Sequence, residues 1–215
     1  MIRFDNIDQG PDPSDLKMTW LPGRPVSPKP DLTLSGCMEP CIVLLPDCRL
    51  FMVMRTSVGS VWYSVSEDDG NSWRPAEPLR YRDDGERVLH PASPPPLFAL
   101  EDGRYLLQYH NNDGSMSSGP KPLWTRAYNF NRRAIFLAIG EFQPKAHQPI
   151  WFSGPKHFAD SDGVPAGIQN RTEMGTYSSL TERQGDRVLW YPDRKHFLLG
   201  KRVTNEWLDD LVVPR

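Results

Sequence analysis

Long hydrophobic runs are missing from this sequence, which predicts a soluble globular chain with no membrane-spanning segment. Cysteine is scarce. The three present, Cys37, Cys41 and Cys48, are an odd number without a C-x-x-C pair or neighbouring histidines, and so exclude a disulfide framework and a zinc site. They read as buried free thiols. The five histidines are scattered without metal-ligand spacing, and no Walker or Rossmann glycine loop occurs, so neither a metal nor an organic cofactor is expected. Ser178 and Ser179 lack the nucleophile-elbow pattern of serine hydrolases. Charge of one sign is also lacking: 25 basic and 27 acidic residues leave a net charge of −2, with no field to draw nucleic acid. The first residues carry no basic and apolar regions of a secretory signal, which predicts a cytoplasmic chain as written.

What is abundant is punctuation. Twenty-two prolines, 16 glycines and seven tryptophans suit many short strands joined by turns. Residues 1–34 read as an extended arm or the remnant of an earlier unit. From Cys41 the pattern becomes strand-like, with runs at Ile42 to Leu45, Leu50 to Arg55 and Val61 to Val65, then a proline-broken edge candidate from Trp73 to Leu79. This scheme of apolar run, acidic turn, arginine and apolar run returns at Pro96 to Tyr109 and at Tyr177 to Tyr191. Aligning Asp47-Cys-Arg49, Asp102-Gly-Arg104 and Gly185-Asp-Arg187 gives a loose internal repeat. The second unit continues through Arg133 to Ile139 and Pro149 to Phe152, the third through His196 to Leu199.

Repeated antiparallel units of this size predict an all-β chain of four-stranded propeller blades over residues 35–203, with a β-sandwich as the alternative. Nearly three blades are visible. Propeller rings hold about four to eight, so additional amino-terminal blades or an oligomeric partner are expected to complete the ring. Residues 204–215 read as a short helix or tail, with Trp207, Leu208 and Leu211 at helical spacing.

Ser66, Asp68, Gly70, Ser72 and Trp73 spell Ser-x-Asp-x-Gly-x-Ser-Trp. Ser66 and Asp68 can satisfy backbone donors inside a tight turn, Gly70 supplies a positive φ, and the Trp73 ring can pack beneath it. The motif resembles the Asp-box of sialidases and related propellers, and its role is structural. Three further segments, in order, resemble bacterial-type sialidases. Gly36-Cys-Met-Glu39 with a hairpin ending at Arg55 resembles the segment with a catalytic glutamate and a substrate-binding arginine. Asn131-Arg-Arg-Ala-Ile-Phe-Leu137 resembles the segment bearing the third arginine, Arg133 being the first choice and Arg132 the second. Gly175-Thr-Tyr-Ser-Ser-Leu180 resembles the segment with the tyrosine nucleophile.

The resemblance implies a glycosidase that removes a terminal acidic sugar, sialic acid or a similar one. Tyr177 would be the nucleophile, Glu39 its base, and Arg55 and Arg133 the grip on the substrate carboxylate. Arg171 would line the same pocket, with Glu173 beside it. A neutral phenol suits an anomeric carbon that bears a carboxylate, because an anionic nucleophile would be repelled there. The family's acid/base aspartate and first arginine have no matching segment here, and its late glutamate is represented by Asp193 at most. The expected partner is an anionic glycan. Two other readings remain open at this point: a non-catalytic Asp-box propeller that binds glycans or proteins, and a glycosidase or lyase for another anionic saccharide.

Overall fold

A computed structural model describes residues 1–22, 26, 37–114, 132–168 and 170–215. Gly36 and Asn131, which belong to the motifs above, lie outside the described residues. The chain opens on a hairpin, β1 (Ile2–Phe4) and β2 (Met18–Trp20), within the stretch read as an extended arm or the remnant of an earlier unit. Arg3 fastens this hairpin to the Asp-box turn by donating to the Asp69 carbonyl at 3.2 Å.

Three antiparallel sheets follow in chain order. The first contains β3 (Met38–Leu44), β4 (Leu50–Arg55), β5 (Trp62–Ser66) and β6 (Glu77–Pro78). The second contains β7 (Leu97–Ala99), β8 (Tyr105–Tyr109), β9 (Ile135–Phe142), β10 (Ile150–Phe152) and β11 (Lys156–Ala159). Both β10 and β11 pair with β9. They act as one outer strand broken around Pro155, which has no N–H for the ladder. The third sheet is β12 (Ser179–Arg183), β13 (Asp186–Asp193) and β14 (Phe197–Arg202).

The sheets stack as propeller blades do, with the second in the middle. Strand β8 explains the stacking, since successive side chains point to opposite faces and all five of its residues are buried. Tyr105, Leu107 and Tyr109 pack with Val43, Phe51, Val53 and Tyr63 of the first sheet. Leu106, with Ile135, Leu137 and Ile139, packs against Leu189 and Tyr191 of the third. Helix α1 (Asn205–Asp209) closes that second core with Leu208, and the Thr204 hydroxyl caps it by accepting from the Trp207 N–H at 3.2 Å.

Two of the three repeated turns are the same object. In both, an aspartate carboxylate accepts from the arginine N–H two residues on, at 3.2 Å in Asp47–Arg49 and 3.0 Å in Asp102–Arg104. Cys48 (φ 68) and Gly103 (φ 85) hold the left-handed position. The third turn differs: Gln184 and Gly185, both at positive φ, form a two-residue hairpin between Arg183 and Asp186. The thiols are free, but only Cys37 and Cys41 are partly buried. Cys48 is exposed on its turn, contrary to expectation.

The Asp-box forms as its residue types require. The Ser66 hydroxyl accepts from the Gly70 N–H at 2.9 Å, and the Asp68 carboxylate accepts from the Ser72 N–H at 2.7 Å and its hydroxyl at 2.6 Å. Gly70 sits at φ +85, and the Trp73 indole N–H donates back to its carbonyl at 3.1 Å. Every acceptor of Asp68 is thus spent inside the turn, as a structural role demands.

Candidate active site

Glu39 reaches its position through a β-bulge. Met38 pairs with Arg55 and Cys41 with Val53, so Glu39 and Pro40 together oppose the single residue Met54. The extra residue puts Glu39 at φ 48, off the regular strand path. Arg55, at the end of β4, donates from Nη1 to Glu39 Oε2 at 2.9 Å. The other carboxylate oxygen, Oε1, accepts from the Tyr177 hydroxyl at 2.6 Å. Tyr177 lies in the turn before β12, also at positive φ (63), with its ring exposed.

The two arginines neighbouring in sequence part company. Arg132 is buried, and its Nη2 donates to the Ala92 carbonyl at 2.6 Å. Its charge acts on Glu39 and Tyr177, and it feels Arg55 in turn. Arg133, expected in the grip, turns the opposite way and forms a two-pronged pair with Asp160, both contacts at 2.9 Å, plus a bond to the Ser161 carbonyl at 2.7 Å. Adjacent side chains on an extended segment leave in opposite directions, so only one of the pair can face Tyr177. That one is Arg132.

Arg171 donates to Glu173 Oε1 at 2.6 Å, and Glu173 is 1 % exposed. One residue absent from the sequence reading joins here. The Lys195 ammonium stands 3.8 Å from Glu173 Oε1 and 5.5 Å from the centre of the Tyr177 ring. Backbone bonds lace these segments together: Met174 N–H to the Arg132 carbonyl at 2.8 Å, Gly175 N–H to the Pro192 carbonyl at 2.9 Å, and Arg194 N–H to the Glu173 carbonyl at 2.7 Å. The stacked rings of His90 and His110, 5.2 Å apart, lie behind Arg132 and belong to the same loop region as its Ala92 anchor. A lysine in a tight turn gives no sequence signal of such a role, because nothing local announces what the turn packs against.

The electrostatics are those of a proton donor facing a base. Burial pushes the Glu39 carboxyl up, but the hydrogen bonds from Tyr177 and Arg55 and the charges of Arg55 and Arg132 outweigh it and hold its pKa below the ordinary value. Its hydrogen bond to Glu39, with burial and the Glu39 charge, raises the Tyr177 phenol, while Arg55 and Arg132 oppose. The resting pair is therefore a neutral phenol donating to a carboxylate. Among the described residues of the cluster, the four cations Arg55, Arg132, Arg171 and Lys195 outnumber the two carboxylates Glu39 and Glu173. Arg55 Nε and Arg132 Nε are buried without a hydrogen-bond partner among the described residues, as is Glu173 Oε2. Unpaired buried polar groups cost about 1–3 kcal/mol each, and these three belong to residues of the Glu39–Tyr177 cluster.

Similar folds occur among solved structures. An intramolecular trans-sialidase from Ruminococcus gnavus, in complex with oseltamivir carboxylate, superposes over 94% of this chain with 17% identity and a TM-score of 0.53. A leech intramolecular trans-sialidase complexed with 2,7-anhydro-Neu5Ac covers 79%, with 18% identity and a TM-score of 0.50. An α-L-arabinofuranosidase from Podospora anserina, in complex with cellotriose, covers 87%, with 19% identity and a TM-score of 0.51. The chain spans 37%, 24% and 54% of these three proteins respectively. No curated protein matches it in sequence. At these identities the likeness is one of fold. The sequence itself matches the BNR repeat-like domain over residues 13–186, well over half of its length, and the chain belongs to that family.

Proposed function

We propose that the chain carries the nucleophilic part of a sialidase-like glycoside hydrolase site, acting on a terminal acidic sugar such as sialic acid. The observation that carries the reading is the 2.6 Å hydrogen bond from Tyr177 to Glu39, within a cluster whose cations outnumber its carboxylates. In this reading the phenol oxygen bonds to the anomeric carbon as the bond to the leaving group breaks. The phenol proton passes to Glu39, and when water displaces the sugar Glu39 returns that proton to the departing phenol oxygen while the water gives up its own proton to solvent. Arg55 and Arg132 hold the substrate carboxylate, their guanidinium forks staying charged at any working pH. The charge surplus favours this substrate class over a neutral pentoside.

A fluorogenic aryl α-sialoside tests the proposal, since its acidic phenol leaves without help from a general acid. Hydrolysis by the wild type and its loss in Tyr177→Phe is the expected result. Equal rates for the two proteins, at or above buffer background, would overturn it. Saturable binding of the sialoside without turnover would favour the glycan-binding alternative.

A further inference from the structure

The Tyr177 ring has a second charged neighbour that the nucleophile–base pair does not use. Lys195 occupies the three-residue turn between β13 and β14, Arg194 to His196, in which Arg194 (φ 54) and Lys195 (φ 55) are both left-handed. That turn is pinned to the segment leading into Tyr177 by the Arg194–Glu173 backbone bond and by the Met174–Asp193 bridge. The ammonium is not simply solvated: it lies 3.8 Å from the buried Glu173 carboxylate and 5.5 Å from the Tyr177 ring centre.

We propose that Lys195, tethered by Glu173, is a positioning residue for Tyr177: its ammonium over the ring stabilises the negative charge that gathers on the phenol as its proton passes to Glu39. The inference rests on the reading of Tyr177 as nucleophile. Every charged group around the phenol bears on it. Glu39, from β3, opposes ionisation of the phenol, while Arg55 from β4 and Arg132 from the segment before β9 favour it. A substrate carboxylate bound by these two arginines cancels most of their field at the phenol. Lys195 stands with Arg171 and Glu173, a group with two positive charges against one negative, so a net positive charge remains there when substrate is bound. A cation over an aromatic ring is worth about 0.5–2 kcal/mol. The attraction strengthens as negative charge develops on the phenol, and that increase lowers the barrier without tightening substrate binding.

The experiment compares wild type, Lys195→Met and Lys195→Arg, each with and without Tyr177→Phe. Difference titration of the near-ultraviolet tyrosinate band isolates Tyr177 in each background. Lys195→Met is expected to move Tyr177 ionisation to higher pH and to lower kcat on the aryl sialoside about 3–30-fold, with KM nearly unchanged. Lys195→Arg is expected to restore both. Unchanged ionisation of Tyr177 in Lys195→Met overturns the inference, as does a loss confined to KM. A shifted titration in a protein that hydrolyses no sialoside supports the Lys195–Tyr177 coupling and counts against the hydrolase reading alone, which separates the two.

Discussion

Glu39 and Tyr177, 138 residues apart, meet in a 2.6 Å hydrogen bond, and both hold their backbones in the left-handed region, at φ 48 and φ 63. A non-glycine residue held there costs about 1–2 kcal/mol. At Glu39 the cause is the bulge that breaks the β3–β4 register, and at Tyr177 it is the turn fastened to β13 by the Gly175–Pro192 bond. Backbone held this way at both partners fixes where the two side chains meet.

The pH profile of activity follows from the directions in which these two groups are shifted. Glu39 must be ionised to accept a proton, and its pKa is lowered, so activity should persist down to and below the ordinary carboxylate range before it falls. Tyr177 must carry its proton, and its pKa is raised, so loss of that proton should not limit the rate until beyond the ordinary phenol range. Measurement of kcat/KM across acid and alkaline buffers checks both limbs. Glu39→Gln should lower kcat about 10²–10⁴-fold, with the acid limb gone from what remains.

Arg132 and Arg133 should separate cleanly by mutation. Arg132→Lys removes the planar fork from the pocket wall and should reduce kcat/KM on a carboxylate-bearing substrate about 10–100-fold. Arg133→Lys touches the partly exposed pair with Asp160, of a kind worth about 0–1 kcal/mol, and the bond to the Ser161 carbonyl, and should leave kinetics within about threefold. Initial rates on the aryl sialoside decide between them. The opposite ranking would mean that the carboxylate binds elsewhere.

These residues also show how far the sequence carries. The hairpins around Asp47 and Asp102 were legible because turn chemistry is local: an aspartate, a left-handed residue and an arginine close the same loop twice. The pairing of Glu39 with Tyr177 was reachable only through the order of family-like segments, since no short pattern links two residues on different sheets. Choosing between Arg132 and Arg133 needed the direction in which each side chain leaves the backbone, which apolar residues downstream do not reveal. Lys195 was missed altogether, because its partner Glu173 comes to it through β13 rather than along the chain.

Gly70 offers a test of the fold that leaves the chemistry alone. Its φ of +85 is costly for any residue with a Cβ, although the space around it is ordinary, with Leu50 and Leu21 side-chain carbons 3.7 and 3.8 Å from a built Cβ. Gly70→Ala should therefore destabilise the protein by about 1–2 kcal/mol, through backbone conformation rather than collision. Urea unfolding gives the value. The fraction that remains folded should hydrolyse substrate at the wild-type rate, because among the described residues the Asp-box side chains bond within their own turn, to the adjoining Arg74 and to the amino-terminal hairpin.

The histidine pair behind Arg132 predicts a dependence of stability on acid. His90 Nδ1 accepts from the His110 backbone N–H at 3.1 Å, so its proton is on Nε2, which donates to the Ser93 carbonyl at 2.8 Å. His110 donates from Nδ1 to the Ala134 carbonyl at 2.8 Å. Burial lowers both pKa values, His90 well below its ordinary range and His110 to about 4, with the Arg132 charge adding to each. An unfolded histidine titrates near 6.5, so between that pH and about 4 the unfolded chain binds more protons than the native one. Stability from this pair should be fully present above pH 6.5 and should drain away as the pH falls toward 4, by about 3 kcal/mol for His110 alone. Urea midpoints across that window measure the loss. Ring-proton NMR shifts supply the independent check, since both histidines should stay neutral in the native protein through the upper part of the window; protonation near the ordinary histidine pKa would sink the argument.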